Sequence, residues 1–235
     1  MKTQHNAHPT SGFTRKEILT VITLAVLALA VILPFLHQRA RAAAQAASLQ
    51  NLRQWGIALN LYLVENNHNL PAAGFTDEDP GAWFNVLPPY LSLPSLHGAT
   101  AGQIDTQSIW TDPAADLPAD GAAASRVTYG MNIWLQPSPA APSWRIYDIE
   151  DPSATLFLVE TAPGQLQSRP GQIAYRHGPK PPHPDARAHA LFCDGHVEIL
   201  KRKTTEQPEA ANPQANPPHR PTWIPFFQAP TPPGS

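Results

Sequence analysis

Apolar residues fill one unbroken stretch near the start of the chain and then thin into a periodic pattern. From Ile18 to Leu36 the run ILTVITLAVLALAVILPFL carries no charged residue. At 1.5 Å rise per residue a helix of that length covers about 28 Å, close to the hydrocarbon thickness of a bilayer. The run predicts a transmembrane helix. Polar positions enter beyond it, but the helical period persists. Between Ala40 and Asn67, the residues Leu49, Leu52, Trp55, Leu59, Tyr62 and Leu63 recur mainly at spacings of three and four, with Gln50, Asn51, Arg53 and Asn60 between them. That half predicts an amphipathic helix with one buried stripe. Pro34 can kink a helix in lipid without ending it. One continuous helix is therefore expected from about Phe13 to about Asn67, closed by Asn66, Asn67, Asn69 and Pro71.

After Pro71 the period changes. The segment WFNVLPPYLSL at 83–93 fits a short helix before a Pro-Pro pair. β-prone runs follow: RVTYGMNIWL, SWRIYDI, ATLFLVE, GQIAYR, RAHALFC and HVEILK, bounded by Pro, Gly or Asp. They predict a small antiparallel sheet and an α+β fold. Asp194-Gly195, set between two apolar runs, predicts a hairpin with a two-residue turn in which both residues take positive φ. From Thr204 to Ser235 prolines are dense and no period survives, so that stretch is expected to be an unfolded or polyproline-like tail. Only its patch Trp223, Ile224, Phe226 and Phe227 is suited to docking. The expected organisation is a leader at 1–12, a transmembrane half-helix at 13–36, an amphipathic half-helix at 37–67, a β-rich domain at 68–203 and a tail at 204–235.

Composition narrows the function classes. A net charge of -2 with 14% charged residues lacks the basic footprint of a nucleic-acid binder. The single cysteine, Cys193, excludes an intrachain disulfide and a cysteine-based zinc cluster. The 28 prolines in 235 residues, about twice the usual share, fit the loops and tail just described. The first twelve residues, MKTQHNAHPTSG, are polar and read as a leader.

Two groups of residues carry a family resemblance. The first is GFTRKE at 12–17, directly ahead of the apolar run. It resembles the N-terminus of type IV prepilins and type II secretion pseudopilins. The resemblance implies cleavage by a prepilin peptidase after Gly12, methylation of the new N-terminal Phe13, and an assembly role for Glu17, with Pro34 where such helices often kink. Arg15 and Lys16 depart from the family's usual apolar residues there. The physical argument for Glu17 is independent of the name, because a carboxylate at the head of a membrane helix demands a cationic partner. In the family that partner is the terminal amine of a neighbouring subunit.

The second group lies in the C-terminal half: VTYGMN, EDPSATLFLVE, and an Arg-His-Gly step followed by HALFCDGHVEIL. These are similar to pseudopilin-like proteins with a processing-associated domain carrying a His, nine residues, then Asp-Gly. Here the corresponding residues are Arg176, His177, Asp194, Gly195 and His196. Sixteen residues separate His177 from Asp194, consistent with an inserted PKPPHPDAR loop; His183, nearer to Asp194, gives a second alignment. The family often has Cys-Pro-Ser where this chain has Thr111-Asp112-Pro113.

Together the resemblance implies a pilin-like fold, a non-enzymatic subunit of a type II secretion pseudopilus, and a bacterial cytoplasmic membrane location with the C-terminal domain outside the cytoplasm. The charges flanking the span do not orient it by themselves, since Lys2, Arg15 and Lys16 precede it and Arg39, Arg41 and Arg53 follow. The implied partners are the prepilin peptidase, other pseudopilin subunits, the inner-membrane secretion platform and the lipid bilayer, with no nucleic acid. A surface pilus subunit is the alternative within the class. Outside it stands a membrane-tethered module for sugar or metal, since His177, His183, His189, Asp194 and His196 could gather around an ion. A hairpin turn with strand-face histidines explains the same residues, so no metal or cofactor is expected. Ser153 has no Gly-x-Ser-x-Gly surround, and no phosphate loop, dinucleotide fingerprint or paired zinc motif occurs.

Overall fold

The computed structural model describes residues 14–104, 109–137, 144–169 and 171–205. Gly12, Phe13 and the Trp223 to Phe227 patch lie outside them. The chain forms two compact units, residues 1–42 and 43–235.

Helix α1 runs over Arg15–Glu65 with Pro34 inside it. In the first unit its side chains from Arg15 onward are exposed, including Ile18, Leu19, Ile22, Val26, Val31 and Phe35. Its most apolar window has a mean hydropathy of 2.8 and is 0% buried, so the helix is long and apolar enough to cross a membrane. In the second unit α1 buries Ser48, Leu52, Trp55, Gly56, Ala58, Leu59 and Leu63; of the stripe expected from the helical period Leu52, Trp55, Leu59 and Leu63 are buried, and Leu49 and Tyr62 are half-buried. Asn67 and His68 then take left-handed φ of 53° and 61°, and the His68 N–H donates to the Leu63 carbonyl at 2.8 Å. This satisfies a carbonyl at the end of the helix.

The second unit is an α+β fold. A short helix α2 (Trp83–Val86) precedes a 3-10 turn at Pro88–Leu91, as the 83–93 segment predicted. Strands β1 (Tyr129–Asn132), β2 (Leu156–Glu160), β3 (Gln167–Ser168), β4 (Arg187–Phe192) and β5 (Val197–Lys201) form one sheet in the order β3-β1-β2-β4-β5. All pairs are antiparallel except β1 with β3. The larger core gathers Leu52, Trp55 and Leu59 of α1 with Tyr129, Met131, Leu158 and Leu191 of the sheet. At its centre Trp55 meets Trp83 edge-on at 5.4 Å and Trp110 at 4.9 Å between ring centroids. A second cluster holds Leu156, Val159, Ala188, Ala190 and Phe192. The register shift between Leu156 and Leu158 explains why Leu156 and Val159, three apart, join the same cluster.

Two expected strands are absent among the described residues. SWRIYDI contains a 3-10 turn at Ile146–Asp148, fixed by the Arg145 N–H donating to the Asp148 carboxylate at 3.0 Å. GQIAYR shows clean alternation, with Ile173, Tyr175 and His177 buried, but forms no strand. Its alternation reports burial rather than ladder pairing. The two-residue β3 was not foreseen. The Asp-Gly hairpin also differs from expectation. Phe192 N–H donates to the His196 carbonyl at 2.9 Å and Gly195 N–H to Phe192 at 3.0 Å, enclosing a three-residue loop, Cys193 to Gly195. Only Gly195 takes positive φ, at 90°. That is the geometry of a three-residue hairpin loop ending in a left-handed glycine, which spares Asp194 the strained region. After β5, α3 (Arg202–Thr205) carries Thr205 into contact with the Tyr175 hydroxyl at 2.7 Å, so the expected tail boundary at Thr204 falls inside a helix.

Candidate functional site

Two places concentrate polar chemistry in otherwise apolar surroundings. The first is the head of α1. Thr14 N–H donates to Glu17 Oε2 at 2.8 Å, and Glu17 N–H faces Thr14 Oγ1 at 3.4 Å. This is a reciprocal capping box, which satisfies two of the amides a helix start leaves open and sets a negative charge at the positive end of the helix dipole. The threonine-to-glutamate spacing of three is visible in GFTRKE, and a capping signature would have found it. Glu17 therefore has a local partner in addition to any intermolecular one.

The second place lies beneath α1 and is built from five segments. Glu160 ends β2, and its parity with Leu158 turns it toward the helix-side core. His189 sits in β4, aligned with Glu160 through the β2–β4 pairing. His177 is fixed by a two-way bridge to Arg187, with N···O distances of 3.0 and 2.8 Å. Asp112 comes from the loop before β1, and Ser48 from α1. All five side chains are buried.

Glu160 is the hub. Its Oε1 accepts from His189 Nδ1 at 2.8 Å, from His177 Nε2 at 3.0 Å and from the Ser48 hydroxyl, while Oε2 accepts from the His189 backbone N–H at 3.1 Å. The Tyr129 hydroxyl lies 3.2 Å from Ser48 Oγ and 3.4 Å from Asn51 Nδ2. The two imidazoles stack, with centroids 4.2 Å apart. Asp112 Oδ2 stands 3.4 Å from His177 Nε2 and 3.6 Å from Arg176 Nη1, yet makes no hydrogen bond. Arg176 also donates to the Thr161 carbonyl through Nη2.

Burial by itself would push the Glu160 carboxyl up, but the hydrogen bonds from His177 and His189 and their charge overcome it and hold it at about 2. Burial likewise pulls His177 down, and the facing Asp112 and Glu160 carboxylates outweigh it, raising the imidazole to about 9. Burial, then the charges of Glu160 and Asp112, push the Tyr129 hydroxyl up. With His177 protonated, two carboxylates face two cations, His177 and Arg176, and the buried charge balances. Such a network is a poor source of net stability compared with an apolar core, but removing one member leaves an uncompensated buried charge.

The residues singled out from the sequence divide between these places and the β4–β5 turn. Arg176 and His177 join the buried network. Asp194 and His196 pair with each other at the turn, Oδ1 to Nδ1 at 2.5 Å, and the His196 ring stacks on Phe192 at 4.5 Å. Gly195 faces α1 instead: its carbonyl oxygen lies 2.8 Å from where a Cβ on Gly56 would stand. His183 is exposed. The five residues weighed as a possible cluster thus divide: His177 meets His189, Asp194 meets His196 at the turn, and His183 stands apart. Glu160, Asp112 and Ser48 were missed. The signal for Glu160 was a lone charge at the end of the apolar run ATLFLVE; for Ser48 and Asp112 nothing local distinguishes them. No family model matches the chain, and no curated protein and no solved structure matches it. The described residues thus define a class: an α+β chain in which one helix is long and apolar enough to span a membrane.

Proposed function

We propose that the chain is a pseudopilin-like filament subunit of a type II secretion-type system, anchored in the cytoplasmic membrane by the first half of α1 before assembly. The observation that carries the reading is that α1 exposes its whole apolar half, 0% buried across the most apolar window, while its second half is stitched into a small α+β unit. An apolar helix surface of that extent requires lipid or other helices around it. Assembly exchanges one for the other. Thr14 and Glu17 prepare the head of the helix, and GFTRKE at 12–17 supplies the processing sequence that the resemblance identifies. The subunit does mechanical work through packing and carries no catalytic residues of its own in this reading. Its partners are the prepilin peptidase, further pseudopilin subunits and the secretion platform, with the C-terminal unit outside the cytoplasm.

Intact mass measurement after expression with and without a prepilin peptidase tests the reading. Loss of twelve residues and addition of one methyl group at Phe13, only in the presence of the peptidase, is expected. A polypeptide that keeps Met1 in both hosts and remains monomeric in the membrane rejects it. Long surface fibres seen by electron microscopy would move the assignment to the pilus alternative.

A further inference from the structure

The hub beneath α1 has the donor set of a metal centre. Glu160, His177 and His189 each offer one ligand atom, and the three atoms lie within 4.8 Å of one another. Two come from adjacent sheet strands and the third from a residue bridged to β4, so their convergence is set by backbone pairing. A tetrahedral zinc site with bonds of about 2.0–2.2 Å to nitrogen and oxygen holds neighbouring ligand atoms about 3.3–3.5 Å apart. The separations here are 2.8 Å for Glu160 to His189, 3.0 Å for Glu160 to His177 and 3.4 Å for Asp112 to His177. Admitting an ion needs an opening of about 0.5–0.7 Å along the tightest of these edges and less along the others.

A second observation is independent of that spacing. Asp112 Oδ2 belongs to a side chain with no exposed surface, stands beside His177 Nε2, and makes no hydrogen bond. In the metal-free hub that oxygen is held only by the charges of His177 and Arg176, and a cation bound at His177 Nε2 would take the place of the His177 proton facing it.

We propose that Glu160, His177 and His189 bind one divalent transition-metal ion of the zinc type as a buried centre beneath α1, with the Asp112 carboxylate standing beside the His177 ligand. Two imidazoles and a carboxylate suit zinc. Binding releases the proton on His177 Nε2, and the His189 ring proton moves from Nδ1 to Nε2. The ion then faces two carboxylates, with Arg176 remaining beside Asp112. Ser48 stays on Glu160, so the centre links α1 to β2 and β4. The inference goes beyond the filament reading and does not depend on it.

The test uses the full chain in detergent, stripped with EDTA and titrated with Co2+ as a coloured probe and then Zn2+. One equivalent of Co2+ with the intense visible bands of a tetrahedral site, bleached by one equivalent of Zn2+, is expected, together with a higher Tm in the zinc form. H177N and H189N should each weaken binding more than tenfold. Because a substitution in the hub can unfold the unit, the H183N/H196N double variant provides the second arm and should keep the full equivalent. Failure of the wild-type chain to take up Co2+ or Zn2+ overturns the proposal and leaves a proton-filled ion-pair network. Uptake that disappears in H183N/H196N overturns it as well.

Discussion

At the residue scale, the chemistry of this protein is concentrated in one buried carboxylate. Glu160 accepts four hydrogen bonds, and its removal leaves His177 without one of its two counter-charges. E160A is expected to destabilise the second unit by about 3–5 kcal/mol, the scale for breaking a buried ion pair, measured by chemical denaturation. The pH dependence has a definite sign. His177 is raised from 6.5 to about 9, so its contribution is whole below pH 6.5 and disappears as pH climbs through 9. Glu160 is lowered from 4.5 to about 2, so its contribution is whole above pH 4.5 and disappears as pH falls through 2. Metal-free protein should melt at its highest temperature between pH 4.5 and 6.5, and melting curves across pH 2 to 10 check it. A Tm that rises steadily from pH 6.5 to 9 would contradict the assignment of a protonated His177.

At the element scale, what matters is how α1 is held on the sheet. A mid-helix glycine normally gains about 1 kcal/mol on replacement by alanine. Gly56 should reverse that sign, because a Cβ there meets the Gly195 carbonyl oxygen at 2.8 Å and Leu191 Cδ1 at 3.0 Å. G56A is therefore expected to lower the Tm of the second unit although it raises helix propensity. Gly195 is constrained from the other side: its φ is 90° and a Cβ would stand 2.7 Å from Asn60 Nδ2. The Asp-Gly pair acts as a docking point for the helix as well as a turn. How much of this was legible is clear from single residues. Leu52, Trp55, Leu59 and Leu63 announce their burial by spacing, since a helix repeats every 3.6 residues regardless of what it packs on. Ile173 and Tyr175 alternate like a strand yet belong to no strand, because burial and ladder formation share a period of two but are separate requirements. Gly56 carries no signal at all, since its meaning is a distance to a residue 139 positions later.

At the scale of the whole molecule, the two units set two different demands. The exposed apolar half of α1 needs an apolar environment, whereas the second unit satisfies its own core. Glu17 caps its own helix through Thr14, and in the proposed filament it would also carry the charge used in assembly. E17Q separates the roles. Glutamine at that position preserves the capping box, so E17Q should keep membrane insertion and peptidase cleavage while losing incorporation into filaments, as read by shearing and sedimentation. Equal filament yield for E17Q and wild type would reduce Glu17 to a cap.

The amino-acid order alone determined the long helix, its apolar and amphipathic halves, the α+β class and the position of the Asp-Gly turn, because each depends on contacts within a few residues or on a repeat along one element. Tertiary structure decided the rest. Ser48, Asp112, Glu160, His177 and His189 are spread over 142 positions, and only the β2–β4 register and the seating of α1 place them together. Burial then turns an ordinary set of polar side chains into a network whose protons, or whose ion, the fold must hold.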